Sequence, residues 1–302
     1  MADYRAHFDF VIRFANGGGM TGTGFRLDLP SADLDDAQIG MLLVHHLGLA
    51  LVEDVTLSAL EIVAEPHKGS RGVPAPAEAG RATRIVDLSH PIRAGLITYP
   101  GLPAPVITPH LTRTDSRAKY APGTEFAMDI LTMIGNTGTY LDSPFHRYAE
   151  GADLAGLELA TLVGLPAEVF HLQDASSRGI RPESLADREL RGTAVLLHTG
   201  WDRWFGQPEY AKGSPFLTAA GAQWLVDQGV MLVGIDSLNI DDTESGGERP
   251  AHSLLLAAGI HVVEHLTHLD ALPARGARFT AAPPAVEGFG TFPVRAFAEL
   301  PA

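Results

Sequence analysis

The segment from Asn136 to His146 gathers four side chains that can do chemistry into eleven residues. It reads Asn-Thr-Gly-Thr-Tyr-Leu-Asp-Ser-Pro-Phe-His, and so combines an amide, a phenol, a carboxylate and an imidazole. Gly138 permits a sharp turn of the backbone, and Pro144 fixes φ two residues after Asp142. Because catalytic residues favour loops on a rigid scaffold, the pattern predicts a loop that presents Asp142 and His146 together. The residues alone leave a structural interpretation open, in which Asp142 caps backbone amides and His146 packs under the loop.

A second pair of candidate residues lies near the C-terminus. His252 begins a short predicted helix, and Glu264 ends the predicted strand that follows it. The helix advances about 9 Å, and a strand of four steps returns about 13 Å. We therefore expect the two side chains at the same end of this helix–strand pair. Taken singly, each is more typical of a structural residue.

These residues sit in a region where short apolar strands alternate with a few helices. The predicted strands are 85–88, 126–134, 167–171, 194–198, 231–235 and 261–264, and the predicted helices are 218–228 and 251–258. Many short strands with few helices favour a mixed sheet or a barrel over a doubly wound fold.

The first 72 residues predict a small unit of their own. Phe8, Phe10 and Ile12 alternate with polar neighbours, as in a half-buried strand. The glycine-rich turn at 16–24 leads to a second strand, which favours a hairpin over a phosphate loop, because phosphate loops lead into a helix. A helix at 35–47 and a strand at 55–63 complete a ββαβ order. The Pro- and Gly-rich residues 73–84 predict a linker, which leaves 85–302 as the larger domain.

The composition narrows the class of protein. The 302 residues include 22 Lys and Arg against 36 Asp and Glu, a net charge of −14, which disfavours nucleic acid as a partner because a phosphate backbone needs a basic face. The absence of cysteine excludes disulfides and thiolate metal sites. No apolar run is long enough to span a bilayer. We therefore expect a cytoplasmic protein without nucleic-acid or membrane partners.

The opening segment resembles the signature of the cyclase family that includes kynurenine formamidase and isatin hydrolase. That signature reads His-x-Gly-[Thr/Ala]-His-x-Asp-x-Pro-x-His, and five residues of this chain match it: Gly138, Thr139, Asp142, Pro144 and His146. Asn136 and Tyr140 stand where the family has two metal-binding histidines. Further similarity extends over roughly 85–300, including the Tyr-Pro-Gly turn at 99–101 and the segments 197–201 and 234–241.

The resemblance implies a set of site residues. Asp142, His252 and Glu264 match the ligands of the family's second metal position, and His146 matches its acid–base histidine. Asn136 and Tyr140 weaken the first position, so we expect one divalent ion, zinc or manganese, or none. In place of the missing metal, one of these two side chains would donate to the oxyanion. Three aromatic residues are candidates for substrate binding: Tyr99, Phe145 and Trp201.

The resemblance also implies a fold and a function. The expected fold is mixed α/β, a swivelling β/β/α cyclase-like fold with a partly closed β-barrel core, in a homo-oligomer. The expected function is a metal-dependent hydrolase that cleaves an amide or lactam bond in a small aromatic or cyclic substrate, with His146 as acid and base. One alternative is a metal-poor cyclase or dehydratase that uses Tyr140 and His146 as an acid–base pair. The other is a non-catalytic family member whose N-terminal unit binds a partner.

Overall fold

The computed structural model describes residues 3–47, 49, 51–65, 83–186 and 188–301. The chain divides into two compact units, Met1–Gly80 and Arg81–Ala302. Each is described here by itself. The predicted linker at 73–84 lies outside the described residues except for its last two positions, so it stays a prediction.

The first unit has the predicted ββαβ order. Its elements are β1 (Asp3–Phe14), β2 (Gly19–Leu29), α1 (Asp36–His46) and β3 (Val52–Glu65). The strands form an antiparallel sheet in the order β2-β1-β3. Phe8, Phe10 and Ile12 alternate onto one face of β1 and share a buried core with Ile39 and Leu43 of α1.

The second unit contains thirteen strands and three helices among its described residues. The strands are β4 (Arg84–Asp87), β5 (Val106–Leu111), β6 (Met128–Thr132), β7 (Tyr140–Asp142), β8 (Leu165–His171), β9 (Gly179–Ile180), β10 (Ala194–His198), β11 (Phe216–Leu217), β12 (Leu232–Ile235), β13 (His261–Glu264), β14 (Ala277–Thr280), β15 (Thr291–Pro293) and β16 (Phe297–Leu300). The helices are α2 (Arg113–Ser116), α3 (Ala219–Gln228) and α4 (Pro250–Ala257).

A mixed nine-stranded sheet is the centre of the second unit. Its order is β15-β7-β13-β12-β10-β8-β14-β16-β4. The four middle strands from β13 to β8 are parallel, and the strands on both sides of them are antiparallel. The sheet curls into a half-barrel, so the expected mixed α/β fold with a partly closed barrel core is confirmed.

The middle strands are buried on both faces. In β10, Leu196 belongs to the apolar core on one side of the sheet, and Val195 and Leu197 belong to the core on the other side. The second core also contains Leu225 of α3 and Leu255 of α4. Strands covered on both faces read as continuous apolar runs, which explains why the sequence predicted β10 with its observed bounds. The bounds of β13 were predicted correctly as well.

Local signals set the ends of α3. The Thr218 hydroxyl accepts a hydrogen bond from the Gly221 N–H, and Gly229 ends the helix in the left-handed region at φ +72°. None of the helices within the described ranges is long and apolar enough to cross a membrane.

The structure corrects the prediction of a loop around Asp142. Tyr140–Asp142 forms the strand β7, which pairs with strands on both sides, and His146 follows on a 3₁₀ turn at Pro144–His146. Three residues are too few to show strand periodicity in a sequence. The pairing partners, which lie more than a hundred residues away, decide this segment.

Candidate functional site

The strand β7 presents Tyr140 and Asp142 on the same face of the sheet, because side chains two residues apart point the same way. Tyr140 pairs with Glu264 of β13, and Asp142 pairs with Thr291 of β15. Directly opposite residues in antiparallel strands have Cβ atoms about 5 Å apart. The sheet register therefore brings these four polar side chains into two contacting pairs.

Tyr140 belongs to a buried chain of hydrogen bonds. Its hydroxyl donates to Glu264 Oε2 at 2.6 Å, and His265 Nε2 lies 3.3 Å from the same oxygen. Since the phenol has a single proton, the His265 Nε2–H donates to Tyr140. The other imidazole nitrogen, Nδ1, then accepts from the Tyr210 hydroxyl at 2.9 Å.

Burial and the neighbouring carboxylates keep Tyr140 neutral, and burial keeps His265 neutral. Burial, followed by the charges of Glu264 and Asp142, raises the pKa of Tyr140 well above its usual value, against a lowering by its hydrogen bond with Asn136. Burial also lowers the pKa of His265 to about 3. A neutral phenol is a poor metal ligand, so Tyr140 does not replace the histidine that the family signature has at this position.

His252 is oriented by a carboxylate behind it. Its Nδ1 lies 2.7 Å from Asp241 Oδ2, and Asp241 also accepts the backbone N–H groups of Ala251 and His252. Because Asp241 accepts a hydrogen bond from the Nδ1–H, Nε2 is the nitrogen that faces the site, 3.4 Å from Asp142 Oδ2 and 3.6 Å from Glu264 Oε1. A carboxylate behind an imidazole is the usual support of a metal-binding histidine.

Three buried carboxylates surround this one imidazole: Asp142, Asp241 and Glu264. Although burial opposes it, hydrogen bonds with Asp142 and Asp241 raise the pKa of His252 to about 10. Burial also acts to raise the pKa of Asp142, but the bond with His252 and the charge of His146 lower it overall. Buried negative charge of this density requires a compensating positive charge, either a proton on His252 or a divalent cation in its place.

The donor set fits such a cation. Carboxylate oxygens and imidazole nitrogens without thiolate suit zinc or manganese. The ligand atoms of Asp142, His146 and His252 lie within 4.8 Å of one another. Glu264 Oε1 lies near His252 as well, so the site offers Glu264 or His146 as the third ligand.

His146 is held by Thr291. The Thr291 hydroxyl contacts Asp142 Oδ1 and lies 2.7 Å from His146 Nδ1. Because an ionised carboxylate only accepts, the hydroxyl donates to Asp142, and the His146 Nδ1–H donates to the hydroxyl. The neutral imidazole then has its free electron pair on Nε2. Gly290 allows the backbone before Thr291 to lie close to the backbone of His146, since a side chain at Gly290 would collide with His146.

A cavity of about 440 Å³ opens onto these groups. Its lining contains five of the predicted site residues: Asn136, Tyr140, His146, His252 and Glu264. This volume suits a small-molecule ligand.

The three aromatic residues predicted to bind substrate do not line one common cavity. Phe145 lines an adjacent cavity of about 350 Å³, together with Asn136 and His146. Tyr99 and Trp201 line neither cavity, and the Trp201 indole N–H donates to the backbone oxygen of Tyr210.

Sequence reasoning missed three residues that hold the site: Asp241, His265 and Thr291. Asp241 ends the segment 234–241, whose resemblance to the family was noted without a function for this residue. His265 directly follows Glu264, and Thr291 lies in a Gly-Thr pair without a recognisable pattern. Only their hydrogen bonds in the folded chain identify them.

Comparison with known proteins identifies the family. Residues 86–242, slightly more than half of the chain, match the family model Cyclase, described as "Putative cyclase". A kynurenine formamidase of Geobacillus thermodenitrificans is 33% identical over 213 residues, which are 70% of this chain and 95% of that protein. A kynurenine formamidase of Paracidovorax citrulli is 30% identical over 72% of this chain and 96% of its own length.

Solved structures are similar over the same part of the chain. Isatin hydrolase A from Labrenzia aggregata has a TM-score of 0.64 at 24% identity, over 73% of this chain and 94% of its own, a likeness of fold alone. A structure titled as a potential metal-dependent hydrolase with cyclase activity has a TM-score of 0.59 at 27% identity, over 72% of this chain and 98% of its own. The sequence and the fold agree with the resemblance of the opening motif, and the chain belongs to the cyclase family.

Proposed function

We propose that this protein is a metal-dependent hydrolase that cleaves an amide or lactam bond in a small aromatic or cyclic substrate. Its relatives named above are a formamidase and an isatin hydrolase, and it shares with them the class of hydrolases of C–N bonds outside peptides. The observation that carries the proposal is the position of His252, whose Nε2 faces Asp142 and Glu264 in a cavity of about 440 Å³.

Asp142, His252 and Glu264 are the proposed ligands of one zinc or manganese ion. When bound, such an ion supplies a Lewis acid for the substrate carbonyl and a water of lowered pKa. Asp241 keeps the His252 Nε2 electron pair directed at the site through the Nδ1–H bond of 2.7 Å. Tyr140 and the Ile240 N–H, each 2.6 Å from a Glu264 oxygen, hold that carboxylate in place.

His146 is the proposed general base and acid. Thr291 holds its Nδ1–H, so Nε2 is the atom that takes a proton from the attacking water. The same atom then passes the proton to the leaving nitrogen. His146 is partly exposed and lines the cavity, so a substrate can reach it. Such catalysis contributes about 10²- to 10⁴-fold.

Asn136 is the proposed donor to the carbonyl oxygen, because its side chain lines the cavity and an amide N–H stabilises a developing oxyanion. Tyr140 serves this function less well, since its single proton is committed to Glu264. The same commitment disfavours the cyclase or dehydratase alternative, in which Tyr140 acts as the acid.

Metal content and hydrolysis, measured together, test the proposed function. The purified protein is expected to contain about one zinc or manganese ion per chain by elemental analysis, and to hydrolyse an aryl formamide. Chelation should abolish the hydrolysis, and added metal should restore it. His252→Ala should lose both the metal and the activity. A metal-free His252→Ala protein with full activity would contradict the proposal.

A second variant separates the two possible functions of His146. If His146 is the base, His146→Gln keeps its metal and loses activity about 10²- to 10⁴-fold. If His146 is the third ligand, the same variant loses metal together with activity. His110→Gln, at an exposed position of β5, is the matched control and should change neither.

Assembly and location complete the proposal. We expect a homo-oligomer in the cytoplasm, acting on a small molecule without nucleic-acid or membrane partners. The two-stranded β5–β6 sheet supports self-association, since the paired Ile107 and Leu131 are both exposed and a two-stranded sheet is marginally stable alone. Light scattering of the purified protein tests the oligomer.

A further inference from the structure

Two arginines line the same cavity as the proposed catalytic residues. Arg147 directly follows His146, and Arg249 is the N-cap residue of α4, three positions before His252. Within the described part of the chain, neither guanidinium has a carboxylate within 4.0 Å. Glu248 also lines the cavity, but its carboxylate pairs with neither arginine.

Neutral groups hold the two arginines in place. The Arg147 Nε–H donates to the Ser253 hydroxyl at 3.4 Å, and that hydroxyl donates to the Arg249 backbone oxygen at 2.7 Å. The Arg249 Nη1 donates to the backbone oxygens of Glu248 and Asp242, at 2.7 and 3.3 Å. Carbonyl and hydroxyl oxygens satisfy donors without cancelling charge, so both guanidinium charges remain available to a ligand.

Arg147 and Arg249 lie together at one cavity of an acidic chain, which has 36 Asp and Glu against 22 Lys and Arg. Elsewhere in the second unit, Arg188 lies 3.2 Å from a Glu168 oxygen, and Arg295 lies 2.6 Å from an Asp87 oxygen. Because acids outnumber bases, a cationic rim at this one cavity points to an anionic ligand. Guanidinium groups bind carboxylates with two parallel hydrogen bonds.

The arrangement of charge also orients such a ligand. The buried Glu264 lines the cavity, and Asp142 Oδ2 lies 3.4 Å from His252 Nε2, so the carboxylates at this end of the site repel an anion. The arginines lie beside Ser253, which is only half-buried. A substrate with one anionic group and one neutral amide would therefore place the anionic group at the arginines and the amide at His146.

We propose that Arg147 and Arg249 select substrates that bear a carboxylate, so that the protein hydrolyses anionic aryl amides in preference to neutral ones. This inference rests on the proposed function for its reaction, but the carboxylate site can be tested by binding alone.

The kinetic test uses two probes of the same shape, 3-formamidobenzoate and the neutral 3-formamidobenzamide. The wild-type protein should have the higher kcat/KM for the carboxylate. Arg147→Gln and Arg249→Gln should each lower kcat/KM for 3-formamidobenzoate about 10- to 100-fold, as expected for one lost charge-assisted hydrogen bond. Each of the two variants should change kcat/KM for 3-formamidobenzamide less than about twofold.

The binding test uses the amine products, 3-aminobenzoate and 3-aminobenzamide, titrated calorimetrically into the same proteins. The carboxylate should bind more tightly to the wild type, and the preference should disappear in the double arginine variant. Arg117→Gln is the matched control, because Arg117 is exposed and pairs with Glu125 outside the cavity. Thermal melts of every variant exclude a loss of folding as the cause.

The outcomes separate the two proposals. If neither formamide is hydrolysed but the arginine variants lose the carboxylate preference in binding, the proposed function fails and the carboxylate site stands. If the arginine variants bind 3-aminobenzoate as the wild type does, or the wild type does not prefer it, the carboxylate site is refuted. In that case, hydrolysis of the formamide in 3-formamidobenzamide would still support the proposed function.

Discussion

Tyr140 donates its hydroxyl proton to Glu264 across 2.6 Å, and this bond joins β7 to β13 at the centre of the site. In the family signature this position is a histidine that binds metal. Here the phenol supports a carboxylate from behind, and His265 and Tyr210 continue the chain away from the cavity. The substitution changes a metal-binding position into a support for Glu264.

Removal of this hydroxyl should destabilise the fold. Tyr140→Phe leaves Glu264 Oε2 with the Asn239 amide at 3.4 Å, and it leaves the His265 Nε2–H without its acceptor. A buried group without a partner costs about 1–3 kcal/mol, so the free energy of unfolding should fall by that amount in urea titrations. Tyr148→Phe, in which a half-buried hydroxyl donates to the Ser253 backbone oxygen, should cost less. Equal losses in the two variants would argue against a special contribution of the Tyr140 bond.

Thr291 should affect catalysis by holding His146 in position. Thr291→Val keeps the volume of the side chain but removes the hydroxyl that holds both His146 Nδ1 and Asp142. We expect kcat to fall about 10- to 100-fold, part of the contribution of a general base, while KM changes less than about twofold. Thr291→Ser, which retains the hydroxyl, should recover most of kcat. Wild-type kcat in the valine variant would show that His146 needs no such support.

Asp241 should control metal affinity without being a ligand. Asp241→Asn weakens the acceptor for the His252 Nδ1–H, and such supporting carboxylates are worth about 10- to 100-fold in metal affinity. Competition with a chromogenic chelator measures the loss. Asp242→Asn is the control, since the Asp242 carboxylate contacts Arg178 instead. If both variants bind metal equally well, Asp241 does not set the orientation of His252.

Stability should fall at acid pH because of His261. Its Nε2 lies 2.9 Å from the Thr161 hydroxyl, and its buried Nδ1 has no hydrogen-bond partner within the described residues. Burial lowers its pKa to about 4, against about 6.5 in an unfolded chain. Between these values the unfolded state binds more protons, so stability is lost as pH falls through that window, by up to about 3 kcal/mol.

Urea titrations at several pH values measure this effect. His261→Phe removes this titrating group and should reduce the slope of stability against pH between about pH 6.5 and pH 4, while buried histidines such as His265 keep their share of it. The same substitution at the exposed His110 should leave the dependence as it is in the wild type. An unchanged slope in His261→Phe would assign the acid sensitivity to other groups.

Local sequence predicted the elements that carry their own signals. The helix α3 has a capping threonine before it and a glycine after it, and β10 begins with a run of four apolar residues. Seven of the strands that the structure describes in the second unit were missed, among them β7, β14, β15 and β16, whose three or four residues mix apolar with polar side chains. Strands of that length show no periodicity and form only when distant partners pair with them.

The candidate site likewise has features that the sequence indicates and features that only the tertiary structure decides. Side-chain type and motif spacing, together with the family resemblance, marked Asp142, His146, His252 and Glu264 as candidates. Tertiary structure decided how they are held, because Thr291 reaches Asp142 from 149 positions away, and Tyr140 meets Glu264 across 124. It also turned the expected loop at Asp142 into a strand between two partners. Sequence determines which groups are available for chemistry, whereas the direction of each proton depends on neighbours that only the paired sheet brings into contact.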